Sequence, residues 1–170
     1  MENKDKLLGV FFDDPTGKFH VRELARVTKL NPNTILNLVG TFIKEGILKR
    51  EKKKHIVEIS VDYGEKFKRL KKLDNLRRLC DSGIIDELRN KFDPEVIVVF
   101  GSYSFGEDIS GSDIDLAVIS NKEKEIDLKK YERNLNRGIH LLVVHYNKIS
   151  NEFYTNLING IVLDGALRKK

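Results

Sequence analysis

Two aspartates one residue apart, Asp113 and Asp115, and a Gly-Ser pair, Gly101-Ser102, have the clearest capacity for chemistry in this 170-residue chain. The Gly-Ser pair lies in Phe100-Gly101-Ser102-Tyr103-Ser104-Phe105-Gly106-Glu107, and Ser112-Asp113-Ile114-Asp115-Leu116 begins ten residues beyond Ser102. Side chains alternate faces along a strand, so Asp113 and Asp115 should point one way while Ile114 and Leu116 point into a core. Two carboxylates at that spacing can share a hard divalent cation with the phosphates of a substrate. Gly101 lets backbone approach a phosphate closely, and the Ser102 hydroxyl can donate to it. Taken in order, these parts describe a nucleoside-triphosphate site, with Gly101, Ser102 and Ser112 as its candidate nucleotide contacts.

The surrounding elements must position that site. Val96–Phe100 is an apolar run that reads as the strand leading into Gly101. Residues 62–92 read as helical, with Phe67, Leu70, Leu73, Leu76, Leu79 and Cys80 along one stripe and a break at Asp81-Ser82-Gly83. Lys124 to Arg137 has the spacing of an amphipathic helix. Residues 139–146 form an almost wholly apolar run, the pattern of a strand buried on both faces. Ser150 to Leu157 reads as a last helix and Ile161–Leu163 as a short closing strand.

The Gly-Ser pair, the gap and the Asp-x-Asp resemble the signature of the DNA polymerase β-like nucleotidyltransferases. They look closest to the small, minimal nucleotidyltransferase branch found in prokaryotes. The likeness covers residues 82–170. It implies transfer of a nucleotidyl group, with adenylyl from Mg²⁺-bound ATP the favoured case, to a hydroxyl acceptor with release of pyrophosphate. By position, Gly101 and Ser102 would hold the triphosphate, and Asp113 and Asp115 would be catalytic metal ligands. Members of the branch that act as antitoxins imply an acceptor on a partner protein, such as a tyrosine of a cognate helical toxin. The chain departs from the pattern twice. The family's third carboxylate aligns with His140, which can serve as a base or as a ligand, and nitrogen ligation favours Mn²⁺ over Mg²⁺. A basic residue frequent in the Gly-Ser stretch is replaced by Phe105.

The first third has a different organisation. Lys4 to Phe12 reads as a helix, Lys18-Phe19-His20 as a brief strand and Val21–Val27 as a second helix. In the turn Leu30-Asn31-Pro32-Asn33, Asn31 is placed to cap and Pro32 to occupy the first helical position of a third helix. Two short strands, 47–50 and 55–59, flank Glu51-Lys52-Lys53-Lys54. This order of elements resembles the winged helix-turn-helix domains of prokaryotic regulators. The resemblance implies that Asn33, Thr34 and Asn37 face base edges in the major groove of duplex DNA, and that Arg50, Lys52, Lys53 and Lys54 contact phosphate.

Charge follows the same division. Residues 1–62 carry 12 basic and 9 acidic side chains, residues 63–92 carry 9 and 5, and residues 93–170 carry 10 and 12. No apolar run approaches the ~20 residues that span a bilayer. The N-terminus lacks the pattern of a leader, and the single cysteine, Cys80, reads as a helix-packing residue of a reduced, cytoplasmic protein. The expected fold class is α+β, with a winged helix domain at 1–61, a helical linker at 62–81 and a nucleotidyltransferase domain at 82–170 whose mixed sheet is flanked by helices. A homodimer is compatible with this plan. Two functions are carried forward: a metal-dependent nucleotidyltransferase fused to a DNA-binding module, and a DNA-binding regulator whose nucleotidyltransferase domain only senses nucleotide.

Overall fold

A computed structural model describes residues 2–53, 56–122 and 124–168. The chain divides into two compact units, residues 1–71 and 72–170.

In the first unit, helices α1 (Asn3–Asp13), α2 (Val21–Thr28) and α3 (Pro32–Lys44) precede a hairpin of β1 (Leu48–Lys53) and β2 (Ile56–Val61). Helix α3 starts where its sequence dictates: the Asn31 side chain accepts from the Asn33 amide at 2.9 Å, and Pro32 needs no partner for an N–H it lacks. Phe19 adds a third, one-residue rung to the hairpin, exchanging two 2.9 Å backbone hydrogen bonds with Ile59. Leu7, Phe11, Leu24, Ile35, Ile47 and Phe67 lie at the centre of one core, each 0–1 % exposed. Removing each such side chain from water contributes roughly 1.5–3 kcal/mol before chain entropy is counted. Strand β1 runs through Glu51 to Lys53, which the sequence suggested as the hairpin tip.

The second unit follows the long helix α4 (Glu65–Ser82), inside which the unit boundary falls. Helix α5 (Ile84–Phe92) restarts after Ser82, whose hydroxyl accepts from the Ile84 amide at 3.2 Å. Then come β3 (Val96–Phe100), α6 (Gly101–Phe105), β4 (Ile114–Ile119), α7 (Lys129–Leu135), β5 (Ile139–Val144), α8 (Asn151–Ile158) and β6 (Ile161–Gly165). The sheet order is β5-β4-β3-β6; β3 is antiparallel to β4 and β6, and β4 is parallel to β5. Period-two alternation divides the sheet's residues between two cores. Ile97, Val99, Ile114, Leu116 and Val118 pack with Leu79, α5 and α7. Val96, Val98, Ala117 and Ile119 pack with Ile149 and with Leu157 of α8. Arg89 of α5 binds Asp164 of β6 at 2.5 and 3.0 Å, and that hydrogen bond holds the carboxyl below its ordinary range.

Four expectations are corrected. Leu73 is 64 % exposed and Cys80 is also exposed, so neither belongs to the packed stripe of α4. That stripe is Phe67, Lys71, Asn75 and Leu79, spaced by four residues and all buried. Helix α7 begins at Lys129, because Asp127 accepts from the Lys129 amide at 3.0 Å and turns the chain there. Ile126 and Leu128 still pack on the core from the preceding segment. Strand β5 is an edge strand, so its apolar residues are only half-buried.

Asn75 organises the loop that joins α6 to β4. Its amide nitrogen donates to the Tyr103 carbonyl at 2.9 Å and to Asp108 at 2.8 Å. Asp108, 1 % exposed, also faces the Arg137 guanidinium at 3.5 Å. Replacing Arg137 with Ala removes a cation from a buried carboxylate, a loss of about 3 kcal/mol. Urea denaturation should show it, and an unshifted midpoint would remove this contact from the stability of the second unit.

Candidate active site

Asp113 and Asp115 lie at the start of β4, where the chain leaves the loop fixed by Asp108. Ile114 and Leu116, on the opposite face, are fully buried in the core beneath α5 and α7. This alternation leaves both carboxylates on the face that carries α8: Asp113 is exposed and Asp115 half-buried. Each carboxylate rests against a glycine. A Cβ on Gly101 would meet Asp115 Oδ2 at 2.5 Å, and one on Gly138 would overlap Asp113 Oδ1. Gly101 also has φ +69°, a left-handed conformation that any side chain would strain.

The strand registers supply the remaining neighbours. Asp115 pairs with Phe100 on β3 and with His140 on β5. His140 Nδ1 lies 3.1 Å from Asp115 Oδ1, and the imidazole is 57 % exposed. The two oxygens of Asp115 therefore have different surroundings, Oδ1 toward the imidazole and Oδ2 toward Gly101 at the head of α6. With Nδ1 donating to the carboxylate, a neutral imidazole would carry its lone pair on Nε2.

The other sequence candidates divide clearly. Gly101 and Ser102 open α6 directly beside Asp115, with the Ser102 carbonyl accepting from the Glu107 amide at 2.9 Å. The Ser112 hydroxyl oxygen accepts from the Ile109 amide at 3.0 Å and so closes the loop before Asp113. Of the carboxylates that could have replaced the missing third one, Asp108 is buried on Asn75 and Arg137. Glu152 sits exposed in the first turn of α8, and Glu107 is exposed in the loop. Among the described residues, no three His, Cys, Asp or Glu side chains converge on one cation position. The donor set of Asp113 and Asp115 still fits a hard cation, because Mg²⁺ commonly takes one or two carboxylates and completes its shell with phosphate and water. Tyr103, near this site in sequence, has a buried phenol whose proton is held more tightly than usual, and desolvation is the main cause. It is a packing residue.

In the first unit, Asn33 and Asn37 are exposed on α3 and Thr34 is half-buried. Alternation along β1 puts Arg50 and Lys52 on one face, and Lys49 and Glu51, 3.9 Å apart, on the other. Lys54 and the side chain of Lys53 lie outside the described residues. Among those described, no helix is long and apolar enough to cross a membrane.

Sequence reasoning missed Asn75, Asp108 and Arg137, which hold the loop behind the site. The available signal was a polar residue in the apolar phase of α4, four residues before Leu79. It also missed Gly138, whose neighbour across the sheet is the residue next to Asp113: the Ile114 amide donates to the Gly138 carbonyl at 2.8 Å. No curated protein matches the chain. Residues 82–165 match the family model described as polymerase beta, nucleotidyltransferase. The strand, the Gly-Ser helix start and the paired aspartates all fall within that stretch, so the similarity covers the candidate site of the second unit.

Proposed function

We propose that the second unit transfers a nucleotidyl group, adenylyl from ATP being the favoured case, to a hydroxyl acceptor. The observation that carries this reading is the pair Asp113 and Asp115 beside Gly101, with His140 bonded to the one oxygen of Asp115 that faces away from Gly101. Gly101 and Ser102 would hold the triphosphate, where a phosphate can approach backbone without meeting a side chain. Asp113 and Asp115 would hold Mg²⁺ or Mn²⁺, which when bound neutralises phosphate charge and polarises the α-phosphorus. The acceptor oxygen would bond to that phosphorus as the bond to the β-phosphate oxygen breaks and pyrophosphate leaves. The acceptor's proton would pass to Nε2 of His140, whose ring is oriented through Nδ1 by Asp115. A hydroxyl on a partner protein, such as a helical toxin, is the acceptor we favour.

The first unit, in this reading, is a winged helix. Its α2–turn–α3 and its hairpin give the order of elements that places a reading helix in the major groove and a wing on the backbone. Asn33, Thr34 and Asn37 would read bases, while Arg50, Lys52, Lys53 and Lys54 would bind phosphate.

A second reading is favoured by the contact between His140 and Asp115. An imidazole in place of a carboxylate, spending a hydrogen bond on one metal ligand, suits a regulator that senses nucleotide without turning it over. His140→Gln separates the two. If His140 is the base, the variant should bind ATP with Mg²⁺ as the wild type does and transfer adenylyl about a hundredfold more slowly. Calorimetry and labelled-ATP transfer to candidate protein acceptors measure the two quantities. Transfer unaffected by the substitution would remove His140 as the base. Binding without transfer in either protein favours the sensor.

The winged-helix reading predicts duplex DNA binding that weakens with salt. Replacing Arg50 and Lys52 with Ala should lower the slope of log affinity against log salt by roughly 2, at ~0.9 per phosphate contact. Fluorescence anisotropy across a salt series gives the slope, and an unchanged slope would take the hairpin off the DNA.

A further inference from the structure

The carboxylate pair is flanked by two dissimilar clefts. On the Gly138 side the lining is charged, with Lys129, Glu132, Arg133 and Arg137 around Gly111, Asn136 and Gly138. On the Gly101 side a cleft of about 370 Å³ is lined by Phe100, Gly101, Phe105, Asn156 and Asn159. Two aromatic rings and two amides are the chemistry that holds a nucleobase: a face to stack on, and groups that hydrogen-bond its edge. We infer that this second cleft is the base subsite, with Phe105 as its stacking residue and Asn159 as a contact to the base edge. The inference rests on the nucleotide-binding reading of Gly101, Asp113 and Asp115.

The packing fixes the walls of the cleft. Phe100 stands next to Asp115 in register, and its ring meets Phe153 of α8 edge-on, with centroids 5.6 Å apart. Leu157 anchors α8 in the core, fully buried. At the end of that helix, a Cβ on Gly160 would lie 2.6 Å from the Val99 carbonyl, so the chain passes close against β3. Asn156 and Asn159 are thereby held beside Phe100 and Gly101. Phe105, at the end of α6, is 45 % exposed, a large apolar side chain left in water at the rim of a polar site. Its ring offers a stacking surface there.

Asn159 supplies groups for the edge of a base. One N–H of its Nδ2 donates to the Thr155 carbonyl at 2.8 Å, which orients the amide and leaves the second N–H and Oδ1 for a ligand.

Calorimetry with Mg²⁺ and three probes, ATP, GTP and inorganic triphosphate, tests the subsite separately from the phosphate site. Phe105→Ala should weaken ATP about tenfold, a typical loss for one stacked base, and leave inorganic triphosphate unchanged. Phe105→Tyr should restore ATP binding, and Asn159→Ala should weaken the two nucleotides while sparing inorganic triphosphate. The subsite is overturned if Phe105→Ala binds ATP as the wild type does, if it weakens inorganic triphosphate equally, or if wild type binds ATP no tighter than inorganic triphosphate. In each of those cases, binding of inorganic triphosphate that is lost in Asp113→Asn with Asp115→Asn leaves the phosphate site standing. Failure of the wild type to bind any of the three overturns both.

Discussion

Two missing side chains hold the paired carboxylates where they are. Asp113 and Asp115 occupy the volume that a Cβ at Gly138 and at Gly101 would fill. The aspartates therefore lie against backbone from two different elements, the head of α6 and the start of β5. Those elements meet β4 through the sheet: β3 sets Phe100 opposite Asp115 and so brings Gly101 against its carboxylate, and the parallel pairing of β5 delivers Gly138 beside Asp113 and His140 beside Asp115. A one-residue slip of either neighbour would separate one carboxylate from its glycine. Register is thus part of the chemistry, because groups fixed before substrate arrives need no reorganisation when charge develops.

The buried pair Asp108–Arg137 secures that register from behind. Arg137 immediately precedes Gly138, and Asp108 lies in the loop that ends at Asp113. Their contact, shared with Asn75, ties together the two segments that meet at the Asp113 carboxylate. Burying an ion pair contributes little net stability, since desolvation offsets most of the attraction. Its value here is positional. A hydrophobic substitute would fill the same space without fixing which loop conformation approaches Gly138.

Much of this was legible in the sequence because it rests on local rules. Asn31-Pro32 marks a helix start through one capping bond and one absent donor. Val96–Phe100 followed by Gly101-Ser102 marks a strand that must turn, and Asp-x-Asp on a strand marks two groups on one face. The parts that were not legible depend on partners far away in the chain. Lys71 and Asn75 occupy buried positions of α4 that periodicity assigned to apolar residues, so Leu73 and Cys80 were placed inside by mistake; Asn75 earns its burial from Tyr103 and Asp108, 28 and 33 residues later. Strand β5 looked fully buried from composition, but burial of an edge strand is decided by sheet order. The close approach of Gly138 to Asp113 has no local signature at all, because both residues are ordinary in their own segments.

The division of Asp115 between His140 and Gly101 gives the site its asymmetry: one oxygen turned toward the group that would take a proton, the other toward the place where phosphate would lie. Whether a divalent cation joins nucleotide to this pair can be read without knowing the acceptor. Nuclear magnetic resonance of isotope-labelled protein, titrated with Mn²⁺ in the presence of ATP, locates the ion through paramagnetic broadening of nearby amides. Broadening should centre on Gly101, Asp113, Asp115 and Gly138 and should vanish when both aspartates are changed to asparagine. Broadening centred elsewhere, or persisting unchanged in that double variant, would contradict a metal-bridged nucleotide at these carboxylates.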